Sequence, residues 1–204
     1  MMKLIGSHQS PYVRKVRIVL AEKQVDYEFV IGNVMAYDDQ WVKNNPLYKI
    51  PSLLLDDGLP LYDSRVIVEY VDTLGTAAPL IPSEPRERAA VRRWEALADG
   101  ALDAGILARW EAVQRTEDRQ DPAWIDRQNR KILGGLEAMS TGLGDAQFCH
   151  GASLSLADLA VGTALGWFAF RFPDIAWAED YPNLAGLYAR MSERASFAAT
   201  VPAI

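Results

Sequence analysis

The segment "SHQSPYVRKVRIVL", Ser7 to Leu20, places Ser7, His8, Gln9 and Ser10 immediately ahead of a run with helical spacing. A helix N-terminus carries unpaired N–H groups and the positive end of the helix dipole, so polar side chains there can hold an anion. Ser10 followed by Pro11 is also an ordinary helix start, with the hydroxyl as cap and the proline in the first turn. The two roles are compatible, because a cap hydroxyl can face a ligand. A second such junction is "YDSRVIVEY", where Asp63 and Ser64 stand at a helix start. Ser64 with free N–H groups suits a carboxylate, and Asp63 suits an ammonium, so the pair would fit an amino-acid head. Both are equally good as plain caps. Between these junctions, "NPLYKIPSL" puts Pro51 directly before an apolar run, where it removes a backbone donor. A cis Ile50–Pro51 bond would mark a functional turn; a trans proline opening a strand is the commoner case, since only about 5% of such bonds are cis.

These residues need elements to position them. Lys3 to Gly6 is a short apolar run, and from Pro11 to Lys23 the residues Val13, Val16 and Leu20 recur at helical spacing with Arg14, Lys15 and Arg17 between them. "YEFVI", Tyr27 to Ile31, reads as a strand, which makes a βαβ unit with parallel strands. "SLLLDDGLPLYDS" is a hairpin signal around Asp56, Asp57 and Gly58, and Pro60 assigns its second run to a sheet edge. "SRVIVEYVDTLG" follows as a helix expected to stop at Gly75. The order β-α-β, then β-β-α, is the thioredoxin-like arrangement.

"TAAPLIPSEP", with three prolines, reads as a linker. Beyond it no strand is evident. Helices are expected over Glu87–Arg115, Trp124–Met139, the almost wholly apolar "SLADLAVGTALGWFAF", and Leu184–Glu193. The first has an inner stripe of Val91, Trp94, Ala98, Ala101 and Gly105, whose small members would admit another helix closely. Ser155 and Asp158 fit a capping box, with Leu154 and Leu159 placed as a hydrophobic staple. The expected fold is therefore α/β plus all-α, with residues 1–77 as a thioredoxin-like domain, 78–85 as linker and 86–204 as an all-helical domain.

Composition narrows the partners. The chain has 204 residues, 50% hydrophobic and 24% charged, with a net charge of -6, which argues against nucleic acid. Its single cysteine, Cys149, precludes an intramolecular disulfide and favours a reducing compartment. No apolar stretch has the length of a membrane span and no signal-peptide pattern opens the chain, so a cytoplasmic protein without membrane partners is expected. No cluster has metal-ligand spacing, so no metal is expected. His8 is read as a surface or supporting residue and Cys149 as inert.

Over essentially its whole length the chain resembles a cytosolic glutathione transferase, with "SPYVRKVRIVLAEKQVDYE", "NNPLYKIPSLLLDDGLPLYDSRVIVEYV" and "SLADLAV" in the family's order. The resemblance is to classes with a catalytic serine, such as the plant tau type with its Ser-Pro-aromatic start. It implies that Ser10 stabilises the thiolate of glutathione, the co-substrate, and that Ile50–Pro51 is cis, with Ile50 holding the cysteinyl part. It implies that Asp63 and Ser64 take the γ-glutamyl end and that Lys49 reaches the glycyl carboxylate. Asp63 stands where Glu or Gln is commoner, and Tyr48 where a small residue is frequent. The other substrate, a hydrophobic electrophile or peroxide, is expected against Tyr12, Leu107 and Trp110. A homodimer active in detoxification is the family expectation. Two other functions fit the fold: a glutathione-dependent thiol–disulfide reductase, which usually has cysteine where Ser10 stands, and a non-catalytic adaptor.

Overall fold

The computed structural model describes residues 1–32 and 45–202. The polar stretch that precedes Asn45 lies outside the described residues. The sheet has four strands in the order β2-β1-β3-β4. Strand β1 (Lys3–Gly6) pairs in parallel with β2 (Glu28–Ile31), Lys3 opposite Glu28 and Gly6 opposite Ile31. On its other side β1 runs antiparallel to β3 (Ser52–Leu54), with Ile5 opposite Ser52. The hairpin partner β4 (Pro60–Leu61) forms the edge, where the missing N–H of Pro60 costs no ladder bond. Gly58 turns this hairpin with φ +86°, a conformation that suits glycine.

Helix α1 (Pro11–Glu22) buries the expected Val13, Val16 and Leu20, and Ile18 and Val19 with them. Arg14 and Lys15 are also buried. Gly6 explains how closely helix and strand approach: a Cβ there would lie 2.6 Å from both Val13 methyl carbons. Helix α2 (Ser64–Asp72) ends earlier than the sequence suggested. Thr73 caps it, its hydroxyl donating to the Tyr70 carbonyl at 2.6 Å. Gly75, at φ +71°, serves the passage that follows, since a Cβ there would stand 2.6 Å from the Lys23 carbonyl oxygen.

The remaining helices are α3 (Pro85–Gln114), α4 (Pro122–Leu143), α5 (Leu156–Arg171), α6 (Trp177–Asp180), α7 (Pro182–Ser192) and α8 (Ala195–Ala198), with a 3₁₀ turn at Glu117–Arg119. No strand occurs among them in the described residues. Small residues of α3 and α4 admit close neighbours. A Cβ on Gly105 would lie 2.7 Å from the Trp167 ring, one on Gly135 2.9 Å from the Ala101 Cβ, and one on Gly142 2.8 Å from the Trp94 ring. Helix α5 opens on the expected capping box of Ser155 and Asp158.

Two compact units emerge: Pro82–Met191, and the described residues of Met1–Ile81 together with those of Ser192–Ile204. The final segment thus groups with the sheet rather than with the 86–204 helices. The physical reason is local. Phe197 is 1% exposed, the Arg14 guanidinium lies 5.4 Å from its ring centre, and Arg194 binds Glu22 of α1.

Candidate functional site

The sheet register brings the three singled-out junctions to one end. Strand β1 finishes at Gly6, and its antiparallel neighbour β3 starts at Ser52 opposite Ile5. The loop to Ser10 and the Ile50–Pro51 turn therefore leave the sheet side by side. Leu61 of β4 lies opposite Leu53, so the chain continues through Tyr62 to Asp63 and Ser64 at that same end.

Ser10 is the N-cap of α1, with extended backbone, and its Oγ accepts the Val13 N–H at 3.3 Å. Pro11 occupies the first turn, as expected. As an acceptor in that bond, the hydroxyl keeps its own proton for another group. Such a group would sit at the positive end of α1.

Ile50–Pro51 is cis, and so is Tyr62–Asp63. Pro51 is buried, Ile50 half-exposed and Lys49 exposed. The loop before them is braced by Asn45, which the sequence did not single out. Its side chain donates to the Lys49 carbonyl at 2.9 Å and accepts the Leu47 N–H at 3.0 Å, while the Asn45 carbonyl accepts the Tyr48 N–H at 3.0 Å. Tyr48 has φ 52°, a left-handed conformation in which a side chain costs about 1–2 kcal/mol.

Asp63 caps α2, its Oδ1 accepting the Arg65 N–H at 3.0 Å. The Arg65 side chain also grips it, with Nε 3.2 Å and Nη2 2.7 Å from Oδ2. These hydrogen bonds hold the carboxyl below its ordinary range, helped by the Arg65 and Lys15 charges and opposed by partial burial. Arg65 was readable only as a neighbour in "DSR", and Lys15 only as one of several basic residues on a helix. Ser64, first residue of α2, is buried. A carboxylate placed there would meet a hydroxyl donor at a positive helix end, with an ionised Asp63 beside it for a cation.

Tyr12 is half-buried on α1. Leu107 and Trp110 belong to the other unit and are 45% and 50% exposed on α3, away from the stripe of Trp94, Ala101 and Gly105. His8 accepts a hydrogen bond from Arg17 at Nδ1, 3.1 Å away. Cys149 is buried, and burial together with the neighbouring Asp158 carboxylate pushes its thiol well above the usual range. Among the described residues no group of three or more His, Cys, Asp or Glu is placed to hold a metal ion, and no helix is long and apolar enough to cross a membrane.

Residues 4–78 match the family model of the glutathione S-transferase N-terminal domain, and residues 122–190 match that of the C-terminal domain. The chain belongs to the glutathione S-transferase family. The uncharacterized GST-like protein YibF of Escherichia coli (strain K12) is 37% identical to it, and the alignment covers 98% of both chains. A glutathione S-transferase from Methylobacillus flagellatus, solved with GSH bound, shares 47% identity and superposes with a TM-score of 0.96 over 100% of both chains. A glutathione transferase family member from Pseudomonas fluorescens Pf-5, with bound glutathione, shares 36% identity at a TM-score of 0.91, again over 100% of both. Leu107 and Trp110 lie between the two matched segments.

Proposed function

We propose that this family member is an active glutathione transferase. It binds glutathione at the end of the sheet, ionises the thiol and directs the thiolate at a hydrophobic electrophile or a peroxide. The observation that carries this reading is the convergence of Ser10, the Ile50–Pro51 turn and the Asp63–Ser64 helix start at one sheet end. Two solved relatives that hold glutathione support it.

In this reading Ser64 and the N–H groups of α2 bind the γ-glutamyl carboxylate, and Asp63 takes the γ-glutamyl ammonium. Ile50 presents its backbone to the cysteinyl part, with the turn fixed by Pro51. Lys49 lies free enough to meet the glycyl carboxylate. Ser10 donates a hydrogen bond from its hydroxyl to the thiolate. The 1–77 domain then carries the glutathione site, and the residues proposed to meet the hydrophobic substrate are Tyr12 on α1 and Leu107 and Trp110 on α3. A cytoplasmic homodimer engaged in detoxification completes the proposal.

A thiol–disulfide reductase fits less well. Serine stands at position 10, and the one cysteine of the chain is buried with a raised pKa. Calorimetric titration with glutathione tests binding, and Ser64→Ala should weaken it roughly tenfold or more, the loss of one hydrogen bond to a charged group. Turnover with aryl halides, peroxides and mixed disulfides then sorts the chemistry. Absence of glutathione binding by the unaltered chain would leave only a non-catalytic role for the fold.

A further inference from the structure

The final helical turn of the chain is tied to α1 at three levels. Furthest from Ser10, Arg194 donates to both carboxylate oxygens of Glu22, at 2.8 and 2.7 Å, and the Ser196 hydroxyl donates to the first of them at 2.5 Å. In the middle, Arg17 donates to the Ala199 carbonyl at 3.3 Å. Nearest to Ser10, Phe197 is buried with the Arg14 guanidinium over its ring.

Arg17 is a junction of several contacts. Its Nε lies 3.4 Å from the Tyr27 hydroxyl, its guanidinium is 4.8 Å from the centre of the Phe29 ring, and its Nη1 is 3.1 Å from His8 Nδ1. A guanidinium only donates, so Nδ1 is the acceptor in this contact. The His8 ring in turn packs on Phe29 with centres 5.0 Å apart. His8 sits in the short turn from β1 to α1, where Ser10 N–H donates to the Ser7 carbonyl at 3.3 Å.

We infer that residues 194–200 form a strap that fixes the turn presenting Ser10, acting through the positioning residue Arg17. The connection is continuous: the Ala199 carbonyl orients the guanidinium, the guanidinium holds the His8 ring against Phe29, and His8 is two residues from Ser10. The strap touches no reacting atom. Its consequence is the direction of the Ser10 hydroxyl, so its catalytic meaning rests on the transferase reading above.

The test uses the full-length chain with Arg17→Met, Arg194→Met and the double variant. Arg194→Met removes the far anchor without altering α1, so it stays informative should Arg17→Met fold poorly. Hydrogen exchange of the Ser10 to Arg14 amides in the unliganded protein should quicken roughly tenfold in Arg17→Met, as expected when local opening becomes easier. It should quicken less in Arg194→Met. The double variant should be no faster than Arg17→Met, because both substitutions release one strap. With glutathione bound, the thiol pKa read by thiolate absorbance should rise in Arg17→Met while the Kd stays within about twofold, since Arg17 is not placed at the ligand groups. Exchange and thiol pKa both unchanged, even with a lowered Tm, would reduce the strap to a surface staple. A chain that binds no glutathione would defeat the transferase reading, and the exchange result alone would then decide the strap.

Discussion

The Lys23 ammonium lies 3.3 Å from the Asp72 carboxylate, with the two side chains only 2% and 8% exposed. Lys23 caps the end of α1, and Asp72 closes α2. Neither charge is spent on the other alone. Lys23 Nζ also donates to the Ala77 and Ala78 carbonyls at 2.9 and 3.3 Å, and Asp72 accepts the Leu80 and Ile81 N–H groups at 2.8 and 3.0 Å. The proline-rich segment after α2 is thereby fastened to the ends of both helices.

Lys23→Met should therefore cost about 3–5 kcal/mol, the penalty for leaving one buried charge without its partner. An isolated buried ion pair can often be replaced by two apolar residues at little cost. Here Lys23→Met with Asp72→Leu should stay destabilised, because four backbone groups would lose their side-chain partners as well. Urea unfolding of the three proteins measures this. A double variant as stable as the parent would show that the backbone contacts contribute nothing.

Asp158→Ala should be more damaging than loss of an ordinary cap. The buried carboxylate accepts the Ser155 N–H at 2.8 Å, the Ser155 hydroxyl at 2.9 Å and the Cys149 N–H at 2.7 Å. It joins the start of α5 to the loop before it. Removing it strands buried donors, for an expected loss of about 2–4 kcal/mol. Glutathione affinity should change little, and a Tm equal to the parent's would contradict the assignment.

Glu22 gives the molecule an acid-sensitive contact. Burial alone would raise its pKa, but the hydrogen bonds from Arg194 and Ser196 and the Arg194 charge outweigh that and set it below the usual 4.5. A lowered carboxyl pKa adds stability above its unfolded value and loses it as the pH falls through the folded value. The Tm advantage of the parent over Glu22→Gln should thus be present at pH 7 and shrink over roughly pH 5 to 3. An advantage independent of pH would mean that packing, not charge, holds the strap.

Most of this was readable in the sequence because it depended on short-range pattern. The strand alternations, the Ser10–Pro11 start, the Asp56–Gly58 hairpin and the Ser155–Asp158 box each need only neighbouring residues. What could not be read depends on residues distant in the chain. Helical spacing reveals one apolar face, not that Arg14 and Lys15 are buried as well. Glu22 with Arg194, and Lys23 with Ala77, meet across long separations. At the site, Ser10 and Ser64 were visible as helix starts. The Arg65 grip on Asp63 and the Asn45 brace behind Lys49 follow from side-chain directions that spacing does not fix.

The last expectation concerns Ser10. A free thiol has a pKa of about 8.5, so only about 3% is ionised at pH 7. Lowering it by about 2 units would ionise roughly three-quarters, for about 2.7 kcal/mol of differential stabilisation. One hydroxyl donor and the positive end of α1 are contributions of the right order. Ser10→Ala also removes the bond that Val13 N–H makes to Oγ, so about 1 kcal/mol of stability should go with it. To separate the roles, Ser10→Asp can keep a cap acceptor while its negative charge opposes a thiolate. Both variants should still bind glutathione. In Ser10→Ala the bound thiol pKa should rise toward the free value, and turnover near neutral pH should fall by a margin that narrows as the pH is raised. In Ser10→Asp the stability should be kept while the thiol pKa rises further. If Ser10→Ala keeps both the pKa and the rate, Ser10 is a helix cap only, and the donor must be sought at Tyr12, Ser7 or the N–H groups opening α1.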